Sequence, residues 1–341
     1  MGALVLIAQI TDIHLGFDKS NPNEFNRQRL DRLIAHLHEG ANRPDVLIVT
    51  GDLVDHGEPE SYARFADALS ACEFPVHLCV GNHDRRAPFV AQFPHVPMAS
   101  GFVQYATDLG GLRLIVLDTL EEGRHAGAFC EVRANWLRAR LAEAPDTPTL
   151  IAMHHPPVEV GIEWMNTAEE EPWVARFSKA LEGFDQVKAI ICGHVHRPIV
   201  TLWRGKAVSV CASSAPQVAL NFCPIDPDHP DNRAMIVAEA PGCAFHRWNG
   251  RALITHFDIA EQNQTLARYN AKLQPLVRAL IDERPASIGR ASNLIRASNR
   301  GDASREPSPD RSNPCMLDLP AMGTLPGRLH SAPTEAQVAT P

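Results

Sequence analysis

Val46-Leu47-Ile48-Val49-Thr50-Gly51-Asp52 is an aliphatic, β-branched run that stops on a glycine and a carboxylate. A short apolar run bounded by turn residues reads as a strand buried on both faces. Periodicity alone leaves a short buried helix open; the β-branched content and the glycine favour the strand. The same arrangement recurs four times. Leu4 to Ile10 precedes Asp12-Ile13-His14, and Val76 to Val80 precedes Gly81-Asn82-His83-Asp84. Leu150 to Met153 precedes His154-His155, and Ala189 to Cys192 precedes Gly193-His194-Val195-His196.

Between these strands the apolar residues change period. Leu30, Leu33, Ile34 and Leu37 form the stripe of a half-buried helix. Further helices are expected over Glu60–Ala71, Val132–Leu141 and Val174–Leu181. Strand–helix alternation predicts a layered α/β domain. Ligands of open α/β sheets bind beyond the carboxyl ends of the strands, where the polar fragments fall.

Asp12 and His14 are one residue apart, so on an extended strand end they share a side and can hold one divalent cation. His194 and His196 repeat that geometry. The Asp52 carboxylate has two oxygens and can bridge two metals, and the Asn82 amide oxygen suits a hard cation. Each fragment alone reads equally well as a turn, and Gly-Asp is a common turn pair. Five polar strand ends together are another matter. Polar groups beside buried strands cost free energy unless paired or metal-bound, so the set predicts a metal site, for two metals. All-nitrogen-and-oxygen ligation fits Mn, Fe, Zn or Co without choosing among them.

Composition sets the outer limits. The 341 residues carry 45% hydrophobic and 21% charged residues, as ordinary soluble globular proteins do. A net charge of -8 disfavours nonspecific nucleic-acid binding. The eight cysteines form no C-x-x-C pair and several lie in apolar runs, so reduced core thiols are expected rather than a disulfide framework. No basic stretch with an apolar run and cleavage site opens the chain, and its first apolar run is too short for a membrane span; a cytoplasmic protein is expected. Residues 1–260 are expected as the catalytic domain. A helix over 261–283, broken at Pro275, follows, and then 284–341, rich in Ser, Pro, Arg and Gly, as a disordered tail.

The ordered set Asp12-x-His14, Gly51-Asp52, Gly81-Asn82-His83-Asp84, His154 and Gly193-His194-x-His196 resembles the calcineurin-like metallophosphoesterase superfamily. Within it the chain is similar to class III cyclic-nucleotide phosphodiesterases and bacterial glycerophosphodiesterases, over roughly Leu4 to Phe257, including His154-His155-Pro156-Pro157 and Phe245-His246-Arg247-Trp248. The resemblance implies a four-layer α/β/β/α sandwich with two divalent or trivalent ions. It implies Asp12, His14, Asp52 and His196 on one metal, and Asp52, Asn82, His154 and His194 on the other. Water activated by the metals would attack phosphorus in line, with His83 as catalytic residue and Asp84 orienting its ring; His83 in a purely supporting role is the alternative. His155 would stand behind the ligands.

Departures from relatives narrow the class. His56 stands where protein Ser/Thr phosphatases carry a phosphate-gripping Arg, which favours a diester over a monoester. Asp55 stands where purple acid phosphatases supply a Tyr ligand. Small phosphodiesters are therefore the expected substrates, 3′,5′-cyclic nucleotides first and glycerophosphodiesters second; a nuclease or a non-catalytic scaffold is the remaining alternative. Trp164, close after His154, either stacks on a nucleobase or packs on the surface. Residues 201–250 are expected as a capping or dimerisation elaboration, with a homodimer or higher homo-oligomer as the partner expectation and no membrane or nucleic-acid partner.

Overall fold

The computed structural model describes residues 4–283. The expected tail at 284–341 lies outside the described residues. The first compact unit ends at Gln264 and the second begins at Thr265.

The first unit opens with β1 (Val5–Ile10), α1 (Phe25–Glu39), β2 (Val46–Thr50), α2 (Pro59–Leu69), β3 (Val76–Cys79) and α3 (Arg86–Gln92). Next come β4 (Tyr105–Asp108), β5 (Arg113–Val116), α4 (Glu131–Ala142), β6 (Thr149–Ala152), a 3₁₀ turn (Glu163–Met165), α5 (Pro172–Leu181) and β7 (Val187–Cys192). It closes with β8 (Ile199–Trp203), β9 (Lys206–Val210), the short pair β10 (Gln217–Val218) and β11 (Ile236–Val237), then β12 (Gly242–Trp248) and β13 (Leu253–Ile259).

Two large sheets form, in the orders β13-β12-β1-β2-β3 and β4-β5-β6-β7-β9-β8, beside the two-stranded β10-β11. Their centres, β1-β2-β3 and β5-β6-β7-β9, are parallel, so β1, β2, β3, β6 and β7 all deliver their carboxyl ends to a crevice. Alternation along each strand separates the cores. In β2, Leu47 and Val49 pack with Leu30 and Leu33 of α1 and with Tyr62 and Phe65 of α2. Val46 and Ile48 face the other way and meet Val116, Leu150 and Ile191 of the second sheet. On that sheet's outer face Ile151 and Ile190 pack with Leu137 of α4 and Phe177 of α5. Three cores between four layers make the expected α/β/β/α sandwich.

Several local expectations change. Much of 201–250 is not a cap: β9 pairs parallel with β7, and β12 pairs antiparallel with β1, inside the two sheets. Only the stretch between β9 and β12, which carries β10 and β11, stands outside them. Helix α3 is unexpected; it buries a single residue, Phe89, too few for an apolar stripe. In the second unit, α6 spans Gln274–Asp282 with Pro275 in its first turn. Proline there loses no helical hydrogen bond, so it starts this helix where a break was expected. The seven described cysteines are free, and no described helix is long and apolar enough to cross a membrane.

Candidate metal centre

The five strand ends converge, and the backbone is held in an uncommon conformation to make them do so. Eight described non-glycine residues have positive φ; five are Asp12 (52°), His14 (51°), Asp52 (49°), His194 (73°) and His196 (58°). Left-handed backbone costs a non-glycine residue about 1–3 kcal/mol and persists where surroundings fix it. Here the surroundings are loop-to-loop hydrogen bonds. The amides of Ile13 and His14 donate to the Asp52 carbonyl (2.8 and 3.0 Å), Ala215 donates to the Asp12 carbonyl (2.9 Å), and Gly193 donates to the His154 carbonyl (3.0 Å). Gly51 (φ 96°) has no room for a side chain: a Cβ there would lie 2.6 Å from His154 Nδ1. Gly193 is equally confined, since its Cβ would lie 2.0 Å from Thr11 Oγ1.

Within this frame the side-chain donors meet. Asp52 Oδ2 lies 3.2 Å from His154 Nε2 and 3.6 Å from His14 Nε2. Asp12 Oδ1 lies 3.4 Å from His196 Nε2 and 3.9 Å from His154 Nε2. Asn82 Oδ1 is 3.1 Å from His154 Nε2 and 2.9 Å from His194 Nδ1. All seven expected ligands are therefore brought together. Asp12 and His154 are fully buried and Asp52 nearly so.

Three imidazoles are oriented from behind. His14 Nδ1 donates to the Asp55 carboxylate (3.0 Å), His154 Nδ1 to the Thr50 carbonyl (2.8 Å) and His196 Nδ1 to the Pro216 carbonyl (2.7 Å). Each partner is an acceptor, so each Nδ1 carries a hydrogen and each ring turns its Nε2 inward, where that nitrogen offers a lone pair once it is free of a proton. His14 and His196 Nε2 consequently face each other at 3.1 Å, a repulsive pairing unless a cation or proton lies between them. Outer partners of this kind are what metal-ligating histidines require. Charge tells the same story. Burial would raise the Asp52 carboxyl, but His154, His14 and His83 around it hold it well below the usual range. Burial would lower the His154 imidazole, yet Asp52 and Asp12 raise it to about 9. Burial and the His154 charge push His194 down to about 3, which suits a neutral ligand. The donor set fits a divalent cation, and at neutral pH such a cation displaces a proton from His154.

The residues around Asp12 to His196 match the model of the calcineurin-like phosphoesterases over residues 5–198. The chain belongs to that family. It is 36% identical over 253 residues to a probable cyclic nucleotide phosphodiesterase of Rhodopseudomonas palustris, covering 68% of this chain and 89% of that one. It is 30% identical over 259 residues to a probable glycerophosphodiester phosphodiesterase of Arcobacter nitrofigilis, covering 74% and 92%. The fold resembles a purple acid phosphatase from yellow lupin seeds (TM-score 0.57, 14% identity, 77% of this chain and 53% of that one).

As a calcineurin-like phosphoesterase the chain departs from expectation at Asp84. That carboxylate is buried behind the site, accepting from Gly81 N (2.8 Å), Leu53 N (3.3 Å) and Tyr62 Oη (2.9 Å). Burial and the nearby Asp52 charge raise it to about 7. Its bonds pin two loops together, and the hydrogen bond that orients the His83 ring comes from elsewhere: His83 Nδ1 donates to the Asp55 carbonyl (2.8 Å), with Asp55 Oδ1 at 3.7 Å. Asp55 thus steers His14 and His83 together, a role sequence reasoning missed. His56, half-exposed, turns onto Asp55 at 3.0 Å. His155 stands behind the ligands as expected, between Thr119 Oγ1 (2.8 Å) and the His125 carbonyl (3.1 Å).

Five of the seven expected ligands, His14, Asp52, Asn82, His194 and His196, line a cavity of about 1070 Å³. Its wall includes Phe17, Phe25 and Trp164, and also His125, whose Nδ1 lies 3.3 Å from Asn82 Nδ2. Nothing in the sequence around His125 marks it, since no buried strand precedes it. No Lys or Arg lines this cavity among the described residues.

Proposed function

We propose that this chain is a two-metal phosphodiesterase acting on small phosphodiesters, 3′,5′-cyclic nucleotides foremost. One observation carries the reading: a single carboxylate oxygen of Asp52 reaches both ligand groups, 3.6 Å from His14 and 3.2 Å from His154. Asp12, His14, Asp52 and His196 would hold one ion, and Asp52, Asn82, His154 and His194 the other. Bound there, the ions would supply Lewis acidity to the phosphoryl oxygens and acidify a coordinated water.

The chain's own groups do the rest. His83 is tied through Nδ1 to Asp55, which leaves Nε2 to hold a proton for the departing oxygen or to meet charge building on phosphorus. Because the cavity wall offers no Lys or Arg, a diester with its single charge is a better match than a doubly charged monoester. A polyanionic nucleic acid is poorly served for the same reason. Trp164 and Phe17 line the cavity, and an aromatic wall suits a nucleobase. Glycerophosphodiesters are the second reading, supported by the Arcobacter relative matched over 92% of its length.

A substrate panel on the Mn(II)-loaded full chain tests this. The expected order of kcat/KM is 3′,5′-cyclic nucleotide, then glycerophosphodiester, then nucleoside monophosphate. Fastest turnover of the monoester would overturn the proposal.

A further inference from the structure

Two polar residues stand where the apolar stripe of α1 would run on. Leu30, Leu33, Ile34 and Leu37 are buried, and on the same face toward the start of the helix Asn26 and Arg29 are buried too, at 5% and 3% exposure. Arginine is seldom buried without a partner, and every hydrogen-bond partner here is a neutral oxygen. Arg29 Nε donates to the Ser214 carbonyl (2.6 Å), and Nη2 donates to the Ala215 carbonyl (3.1 Å) and to Gln217 Oε1 (3.4 Å). The segment so gripped, 213–217, is a strap behind one side of the metal centre. Its Ser214 and Ala215 amides donate to the Thr11 and Asp12 carbonyls (2.9 Å each), and its Pro216 carbonyl accepts from His196 Nδ1 (2.7 Å). Asn26 Nδ2 donates to the His14 carbonyl (2.9 Å). One helix face therefore reaches Asp12, His14 and His196, directly or through the strap. Among the described residues it makes no hydrogen bond to Asn82, His154 or His194, which are tied to one another and, at His154, to Thr50.

We propose that Asn26 and Arg29 are positioning residues for one half of the centre: they set the ion affinity of the Asp12, His14 and His196 group and leave that of the Asn82, His154 and His194 group unchanged. The cause is the order of the strap. Without the guanidinium the Ser214 carbonyl loses its buried donor, and a buried carbonyl without a partner drives the backbone to rearrange. The Pro216 carbonyl then no longer fixes the His196 ring, and the Asp12 backbone loses its tie to Ala215. Without the Asn26 amide the turn that carries His14 is loosened in the same way. Removing an outer partner of this kind costs about tenfold to a hundredfold in metal affinity. The inference rests on the two-metal reading, and its test takes the two halves separately.

The test is calorimetric titration of the metal-free full chain with Mn(II) at pH 7.5, on two backgrounds. In Asn82→Ala the remaining ion reports on the Asp12, His14 and His196 group; in His196→Ala it reports on the other. Arg29→Gln should weaken Mn(II) binding about tenfold to a hundredfold on the first background and leave it unchanged on the second. Asn26→Ala should act in the same direction on the same background only. Arg29→Lys, which keeps a donor for one of the strap carbonyls, should recover part of the affinity. Equal weakening on both backgrounds would make the two residues general supports of the fold and overturn the proposal, as would no weakening on either. If Arg29→Gln does not fold, Asn26→Ala on the two backgrounds decides alone. An unaltered chain that takes up fewer than two ions would overturn the two-metal reading itself, and this inference with it.

Discussion

The floor of the large cavity and its rim are built on opposite terms. The floor is buried, five of its seven candidate ligands stand in left-handed backbone, and carbonyls of Thr50 and Pro216 fix two of the imidazoles from behind. The rim is open: Phe17 is 74% exposed and Trp164 40%. Phosphoryl chemistry tolerates little misplacement, so the floor is anchored by loop-to-loop hydrogen bonds and two sheets. Substrate choice is left to side chains on loops, where change is cheap. The difference teaches that the reaction class and the substrate of one site can be encoded at different depths.

Breaking the floor should have the largest effect. Asp52→Ala removes the oxygen shared by both ligand groups, and turnover of a cyclic nucleotide should fall to background with loss of bound metal. His83→Ala separates chemistry from ligation: kcat should drop about 10²–10⁴-fold while metal content stays at the level of the unaltered chain. Equal metal loss in the two variants would contradict that division.

Beneath the floor lies a group that should sense pH without touching catalysis. His246 is buried between Gln9 Oε1 (3.0 Å) and Thr255 Oγ1 (2.8 Å), and burial lowers its imidazole to about 4. In the unfolded chain it takes a proton near pH 6.5. Its neutral burial is therefore harmless above pH 6.5, and stability is lost as pH falls from there toward 4, by up to about 3 kcal/mol. Denaturant melts across that range should show the loss, and His246→Gln should flatten it. An unaltered slope in His246→Gln would assign the pH dependence to other groups.

The rim should give the smallest and most selective effect. Trp164→Ala should raise KM for a cyclic nucleotide by a factor matching about 1–2 kcal/mol of stacking. It should leave a glycerophosphodiester almost unaffected. Equal loss on both substrates would make Trp164 a packing residue and erase the contrast between rim and floor.

How much was legible in the sequence follows the same divide. The convergence of the seven candidate ligands could be read because each follows an apolar run, and a one-residue spacing joins Asp12 to His14 and His194 to His196. The helices with full apolar stripes, α1, α2, α4 and α5, could be read for the same reason. Asp55 could not, because its two histidine partners come from other loops and one contact uses its backbone carbonyl. His125 has only tertiary partners. Strands β9 and β12 were hidden because they pair with strands distant in sequence, while the Pro- and Asp-rich stretch between them suggested a cap. Asp84 was misjudged because adjacency to His83 in sequence says nothing about where a side chain points once the turn closes.

Metal stoichiometry of the purified full chain tests the central claim most directly. After removal of metal, titration with Mn(II) at pH 7.5 and element analysis should give two ions per chain. Proton release should accompany binding, because the cation displaces the proton that Asp52 and Asp12 hold on His154 at about 9. A chain that takes up no ion, or binds ions equally well after Asp52→Ala, would contradict the account.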